Sequence, residues 1–228
     1  MPKPYFDYQQ SGEEANIYIY GDITSYPWEQ SDVSAYRLAN QLEQSGDLAE
    51  INVHVDSYGG EVSEGFAIYN ALRNKNAQIK TYADGFVASA AIYPFLAGTQ
   101  RIANNVSAFY FHPVVGGTYG YSDDLRDAAD ELDKLTEIGL GVFTNAGMKE
   151  QDARDLIHSK TWYTPEAVLD MGLATSIQKG RSSEEASQSV RDLVIRQMLV
   201  IPGTPPKEPP KKPPEPPKNS LLSLFSKI

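Results

Sequence analysis

Short runs of β-branched and aromatic residues alternate with helical patterns along most of the chain. The strand-like runs cover residues 16–21, 51–55, 77–83, 101–103, 108–112, 161–163 and 174–178. Runs of this length, ended by Gly, Pro or Ser, are typical of strands. Strands that are separated by helices are usually joined by crossovers, which leave neighbouring strands parallel. The alternation therefore predicts an α/β fold with a largely parallel sheet.

Capping residues and stop signals place the intervening helices. Apolar spacing, with Ser, Thr or Pro at the start and Gly at the end, predicts helices at residues 31–46, 62–73, 122–145, 149–158 and 165–172. Ser31 and Ser122 are the predicted N-caps of the first and the longest of them. The longest helix carries an apolar stripe that a neighbouring subunit could bury, formed by Leu125, Ala128, Leu132, Leu135 and Val142.

The chain divides by composition into one folded domain and an extended C-terminal segment. Its 228 residues suit one sizeable domain with appendages. An amphipathic helix is predicted at residues 183–200, so the folded domain is expected to cover residues 1–200. Residues 201–218 are dense in proline and predict an extended, semi-rigid linker. The apolar residues 219–228 are then either a docking peptide for a partner or a disordered end.

Charge and residue usage exclude several classes of protein. A net charge of −10 argues against nucleic acid or an anionic membrane as partner. The absence of cysteine excludes a thiol nucleophile, disulfides and thiolate metal sites. No P-loop, HExxH or EF-hand spacing occurs, so neither a metal nor a cofactor is expected. Residues 1–14 lack the apolar region of a secretory signal, and no uncharged run is long enough to span a membrane, so a cytoplasmic location is expected.

Three short segments carry candidate chemistry. Ser89 follows a strand-like run and precedes an apolar helix, where free backbone N–H groups can stabilise developing negative charge. It could equally be the N-cap of a buried helix. Gly59 and Gly60 form a turn between a strand and a helix, which can present a bare N–H, or can simply be a turn. His112 leaves an aromatic strand for a Gly-rich loop, as catalytic groups often do, but a lone histidine there can equally be structural. His54 is expected to be structural or exposed, and His158 to cap the end of its helix.

These segments, taken in order, resemble the proteolytic subunits of the Clp protease, ClpP. Residues 55–70, VDSYGGEVSEGFAIYN, resemble the segment that forms the oxyanion loop of ClpP and the helix after it. Residues 85–91, GFVASAA, resemble the ClpP segment that carries the nucleophile, and residues 111–117, FHPVVGG, resemble the segment that carries the catalytic histidine. Residues 161–174, TWYTPEAVLDMGLA, resemble the strand and helix that follow the catalytic aspartate of ClpP. The Thr-Trp pair and the residues 68–72 are most similar to ClpP-like head maturation proteases of tailed phages.

The resemblance implies a fold, an assembly and a set of active-site roles. The fold is the ClpP/crotonase-like fold, with stacked ββα units and a protruding helical handle at residues 122–145. The assembly is a homo-oligomeric ring, either a heptamer or a double ring. Ser89 would be the nucleophile and His112 the general base, and the N–H groups of Gly60 and Ala90 would form the oxyanion hole.

The third member of the catalytic triad is where this sequence departs from the family. Lys160 occupies the position of the family's acid, and a lysine cannot orient a histidine that becomes imidazolium. Three alternatives follow. Asp155 or Asp152 on the preceding helix replaces the acid, a backbone carbonyl holds His112 in a Ser–His dyad, or Lys160 itself is the base.

The expected activity is that of a serine endopeptidase that cleaves capsid or scaffold protein during phage head maturation. Such a protein would work in the host cytoplasm or in the procapsid. A catalytically impaired assembly or scaffold subunit with the same fold is the alternative, because of Lys160 and the tethered tail. A crotonase-type acyl-CoA enzyme is a third reading, since it shares the fold.

Overall fold

A computed structural model describes residues 6–26 and 33–179 of the chain. The predicted helix at 183–200, the linker at 201–218 and the apolar tail at 219–228 lie outside the described residues, as does Ser31. None of the helices in the described ranges combines the length and the apolar character that a membrane crossing requires.

Strands and helices alternate through the described residues. The strands are β1 (Phe6–Ser11), β2 (Glu14–Ile19), β3 (Glu50–Ser57), β4 (Gln78–Ala88), β5 (Gln100–Asn104), β6 (Ala108–Tyr110), β7 (Trp162–Tyr163) and β8 (Ser176–Gln178). The α-helices are α1 (Ala35–Gln44), α2 (Val62–Arg73), α3 (Ile92–Leu96), α4 (Ser122–Asn145), α5 (Glu150–Ser159) and α6 (Pro165–Asp170).

One mixed sheet organises the fold. Its main strand order is β1-β2-β3-β4-β5-β8, and every pair from β2 to β8 is parallel, with β1 antiparallel at the edge. The long strand β4 changes partner along its length: residues 80–83 pair with β5, and residues 86–88 pair with β6. Antiparallel β7 then covers the outer side of β6. The predicted α/β fold with a largely parallel sheet is confirmed.

The core lies between the sheet and the helices that follow its strands. Ile51, Val53 and Val55 of β3 are fully buried, because alternate residues of a strand point to one face. They belong to one apolar cluster with Leu38 of α1 and Ile68 of α2. The same cluster includes residues of α3, so the helix that follows Ser89 is anchored in the core.

Helix α4 extends from the domain as the predicted handle. Its buried residues all lie at position 136 or later. Leu125 near its beginning is 49% exposed, and Ile138 is 62% exposed. Within the described chain Leu125, the first residue of the apolar stripe, is therefore largely uncovered, whereas Ala128, Leu132 and Leu135 are half-buried.

Several predicted boundaries are wrong. Helix α1 is capped by Ser34, whose Oγ accepts from the Arg37 N–H at 3.3 Å. Ser122 is the first residue of α4 rather than its N-cap, which is Tyr121. The Tyr121 N–H donates to Asp124 Oδ2 at 2.7 Å, so a side chain inside the helix supplies the capping acceptor. Strand β4 extends beyond its predicted end, because its last residues gain the second partner β6.

A buried arginine closes the far end of the domain. Arg101, 9% exposed, donates to the carbonyls of Leu173, Gly98 and Gly172 at 2.6, 3.0 and 2.9 Å. These carbonyls lie in the turns that follow helices α3 and α6, so Arg101 joins the two turns. Burial lowers the pKa of Arg101, but a guanidinium remains charged at any physiological pH.

Candidate active site

Ser89 lies at a strained turn between β4 and α3. Strand β4 ends at Ala88, and Ser89–Ala91 form one turn of 3-10 helix before α3 begins. Ser89 has a φ of 54°, a left-handed conformation that costs a non-glycine residue about 1–2 kcal/mol. The N-cap position of the turn is Ala88, so the alternative interpretation of Ser89 as a helix N-cap is wrong. Strain of this kind is concentrated at functional sites.

The turn at Gly59 and Gly60 packs directly against the turn that carries Ser89. Gly59 and Gly60 have φ values of 97° and 145°, which only glycine adopts without strain. A Cβ atom on Gly59 would lie 2.6 Å from Ala88 O and 2.7 Å from Ala90 N. The two turns are therefore in van der Waals contact, and a side chain at position 59 would separate them.

Two backbone N–H groups are available beside Ser89. Gly59 O accepts from the Ile23 N–H at 2.9 Å, and the Glu61 N–H donates to Ile23 O at 2.8 Å. The turn therefore bonds to Ile23 through Gly59 O and the Glu61 N–H, and the Gly60 N–H takes no part in that pairing. The Ala90 N–H lies in the first turn of its helix, where N–H groups lack intrahelical acceptors. Two such donors can stabilise an oxyanion.

His112 is held by its own chain. Phe111 is buried and contacts the rings of Phe143 and Tyr163 with centroid distances of 6.0 and 5.6 Å, which fixes the backbone next to His112. His112 Nδ1 lies 2.6 Å from Pro113 O. Because a carbonyl oxygen can only accept, this contact requires a proton on Nδ1 and leaves the lone pair on Nε2. That tautomer is the one a general base for serine needs.

The four residues assigned to the active site from the sequence line one cavity. Ser89, His112, Gly60 and Ala90 all face a cavity of about 550 Å³. Its remaining wall is mainly apolar and includes Val62, Ile92, Tyr93, Phe111, Phe143 and Ile157. Burial raises the pKa of Tyr93 to about 12, so this phenol is neutral at physiological pH. A cleft that combines apolar walls with a few convergent polar groups is the usual form of a binding site.

The residues proposed for the third position do not contact His112. Asp155 accepts from Gln151 Nε2 at 2.8 Å, and Asp152 lies exposed on the same helix, α5. Lys160 is the exposed C-cap of α5, with a φ of 49°. Within residues 6–26 and 33–179, no hydrogen bond or ion pair joins His112 to any of these three side chains. Of the three alternatives, the geometry favours the backbone carbonyl.

Sequence reasoning missed a second polar cluster on the other face of the sheet. Asp84 accepts hydrogen bonds from His54 Nδ1 at 2.7 Å, Tyr20 OH at 2.5 Å and Asn104 Nδ2 at 2.8 Å. The His54 ring is stacked between Tyr18 and Tyr82, with centroid distances of 4.8 and 4.6 Å. Tyr18, His54 and Tyr82 share one register position on β2, β3 and β4. Aligning the three strand patterns could have found this stack.

Burial alone would raise the pKa of Asp84, but the hydrogen bonds from His54, Tyr20 and Asn104 outweigh it and lower that pKa. His158 lies exposed near the end of α5. Among the described residues, no group of three or more His, Asp or Glu side chains is arranged to hold a metal ion.

Known proteins share this fold and are similar to this chain over most of its length. A family model described as Clp protease matches residues 6–181. The ATP-dependent Clp protease proteolytic subunit 2 of Treponema denticola is 28% identical over 61% of this chain and 72% of its own length. Subunit 2 of Borreliella burgdorferi is 29% identical over 71% of this chain and 81% of its own. A solved structure of a ClpP1 variant from Listeria monocytogenes aligns with a TM-score of 0.62 and 20% identity, over 75% of this chain and 93% of that one.

Proposed function

The chain belongs to the Clp protease family, and from that premise we propose that it is a serine endopeptidase of the ClpP type. One observation carries the proposal: Ser89, His112, Gly60 and Ala90 line the same cavity. Ser89 also occupies a strained left-handed position at the end of β4. A nucleophile, a base and an oxyanion site within one cleft are the parts that acyl transfer requires.

The geometry supports a two-step hydrolysis. Ser89 Oγ attacks the carbonyl carbon of a peptide bond while His112 Nε2 takes the hydroxyl proton. The carbonyl oxygen becomes an oxyanion that accepts from the N–H groups of Gly60 and Ala90. His112 returns the proton to the leaving amine as the C–N bond breaks. A water molecule then attacks the acyl-serine ester by the same route, which releases the acid product and restores the Ser89 hydroxyl.

Pro113 O replaces the acid in orienting His112. The carbonyl fixes the tautomer that leaves Nε2 unprotonated, which is one of the two functions of the acid in a triad. It carries no full charge, so it stabilises the imidazolium less than a carboxylate does. We therefore propose a Ser–His dyad that is slower than a complete triad, with no metal or cofactor.

The finer role that we propose is cleavage of capsid or scaffold protein in phage head maturation, by a homo-oligomeric ring. The similarity of residues 161–162 and 68–72 to phage head maturation proteases supports the biological setting. Two exposed apolar side chains of α4, Leu125 and Ile138, support assembly. A slow enzyme suffices when its substrate is assembled beside it.

Two measurements test this proposal. The purified chain is expected to hydrolyse casein, and Ser89→Ala, with the same backbone, is expected to remove that hydrolysis. Co-expression with capsid protein is expected to yield a truncated capsid band only with intact Ser89. Hydrolysis that survives in Ser89→Ala would contradict the proposed nucleophile. An intact capsid band beside active enzyme would contradict only the proposed capsid substrate and would leave the protease activity standing.

A catalytically impaired assembly subunit is the second candidate, and the exposed Lys160 at the acid position is the observation that favours it. In that case Ser89→Ala would still support head formation. Deletion of residues 219–228 would abolish head formation, because the tail would be the docking element. Loss of head formation in Ser89→Ala alone would instead favour the protease.

A further inference from the structure

Five aromatic rings form a continuous row that ends on His112. The row runs Tyr58, Phe86, Trp162, Tyr110, His112, and its four successive centroid distances are 5.0, 5.3, 5.0 and 5.7 Å. Tilted ring pairs at 4.5–7 Å attract each other beyond their buried area. The row is partly open to solvent, since Tyr58, Phe86 and Trp162 are 64%, 39% and 47% exposed.

Strand register explains why the row crosses the active site. Tyr110 is paired with Trp162 across β6 and β7, and with Ala88 across β6 and β4. Tyr110 and His112 lie two residues apart, so they occupy the same side of an extended chain. Phe86 lies near the end of β4, shortly before Ser89, and Tyr58 directly precedes Gly59 and Gly60. Each ring is thus attached to a segment that carries one part of the active site or flanks it.

His112 needs a second constraint that the hydrogen bond alone does not give. The contact between Nδ1 and Pro113 O fixes the tautomer, but one bond to a neighbouring residue leaves the ring free to tilt about that bond. The Tyr110 ring packs against one side of the imidazole, with 5.7 Å between the two ring centroids. Tyr110 is itself backed by Trp162, which is backed by Phe86. Because Tyr110 is packed against these further rings, it resists displacement more than a single exposed tyrosine would.

We propose that the aromatic row positions His112 to accept the proton of the Ser89 hydroxyl as Ser89 attacks the substrate carbonyl, and that Tyr110 and Trp162 are positioning residues that take over part of the role of the missing acid. This inference rests on the proposed function, because positioning matters only if His112 acts as the base. The row acts by limiting where Nε2 points. Its loss should lower the rate of the chemical step while leaving substrate binding in the cavity nearly unchanged.

The test compares Trp162→Leu with Trp162→Phe in the full chain. A fluorogenic peptide substrate that the wild-type protein hydrolyses supplies kcat and KM. Small displacements of a reacting group cost large factors in rate, so we expect Trp162→Leu to lower kcat roughly tenfold with KM within about twofold. Trp162→Phe keeps a ring in the row and should retain kcat within about twofold. Tyr36→Ala, an aromatic that is 78% exposed on α1, is the matched control and should leave both constants unchanged.

A second variant guards against misfolding. Tyr110→Leu removes the ring next to His112 while an apolar side chain remains in β6, and it should reproduce the loss of kcat in protein whose melting transition is intact. The inference is overturned if both leucine variants keep wild-type kcat, if their loss is in KM, or if Trp162→Phe loses as much as Trp162→Leu. A wild-type protein that hydrolyses nothing overturns the proposed function, and the inference with it.

Discussion

His112 Nδ1 lies 2.6 Å from the carbonyl oxygen of Pro113, the next residue in the chain. The hydrogen-bond acceptor that orients His112, the candidate base, therefore belongs to the residue next to it in the chain. In the proposed dyad this contact supplies the orienting acceptor that a carboxylate at position 160 would otherwise supply, where the chain carries Lys160. It also explains how a histidine beside a Gly-rich loop can keep a defined tautomer.

Lys160 and the two aspartates should be dispensable for activity. Lys160→Ala, Asp152→Asn and Asp155→Asn are each expected to retain peptide hydrolysis within roughly threefold, because none of them contacts His112 and surface changes usually have small effects. Steady-state kinetics with one peptide substrate checks all three. A large loss in Lys160→Ala would favour lysine as the base, and a loss in either Asn variant would identify a carboxylate that reaches His112.

Replacing Ser89 by glycine should relieve strain while it removes activity. A residue with φ of 54° pays about 1–2 kcal/mol unless it is glycine, partly offset by the greater freedom of glycine in the unfolded chain. We expect Ser89→Gly to be more stable than Ser89→Ala by about 0.5–1 kcal/mol. Equilibrium denaturation of the two inactive variants measures this difference. Equal or reversed stabilities would show that the turn holds no strain.

Gly60→Ala should abolish activity and weaken the fold. A Cβ atom at this position would lie 2.1 Å from Ile23 O, so the turn must shift and carry its N–H away from Ser89. The control is Gly141→Ala in α4, where an added Cβ meets nothing within 4 Å and where alanine is favoured by about 0.5–1 kcal/mol. Peptide hydrolysis and melting temperature are the readouts. Normal hydrolysis in Gly60→Ala would exclude its N–H from the oxyanion site.

Asp84 should make stability depend on pH in the acid range. Its hydrogen bonds to His54, Tyr20 and Asn104 outweigh burial and lower its pKa in the folded chain. Its contribution is therefore complete above the unfolded pKa of about 4 and is lost as pH falls through the lower folded value. Asp84→Asn is expected to cost about 1–3 kcal/mol at neutral pH, with a smaller difference from wild type at pH 3.

Thermal melts from pH 3 to pH 7 check the Asp84 prediction. Asp133→Asn is the matched control, since Asp133 is exposed in the middle of α4 and forms no ion pair within the described residues, so it should change neither the midpoint nor its pH dependence. A destabilisation by Asp84→Asn that stays constant down to pH 3 would contradict the assigned ionisation.

The fold was predictable because its signals are local. The alternation of strand and helix patterns indicates the parallel sheet, and helix α2 begins and ends at the predicted residues Val62 and Arg73. The antiparallel strand β1 was not predicted, since residues 6–11 carry little apolar alternation. The caps at Ser34 and Tyr121 were misplaced by one to three residues, because several Ser and Asp residues lie just before or just inside the beginning of each helix and only tertiary packing selects the first residue.

The candidate site could be inferred from the sequence only where side chains mark it. Ser89, His112 and the Gly59–Gly60 turn stand out by residue type and by their places at strand ends. The partner of His112 is a backbone carbonyl, which every residue possesses, so no sequence pattern distinguishes Pro113 O from other acceptors. The pairing of Asp84 with His54, Tyr20 and Asn104 depends on the register of β2, β3, β4 and β5, which the sequence does not specify.

The central claim is that Ser89 is a nucleophile activated by His112. The most direct measurement is mass spectrometry of the intact chain and its peptides after incubation with a fluorophosphonate at neutral pH. The account predicts one adduct per chain, located on Ser89, absent in Ser89→Ala and formed much more slowly in His112→Ala. A folded wild-type protein that remains unlabelled, or that is labelled equally fast without His112, would contradict it.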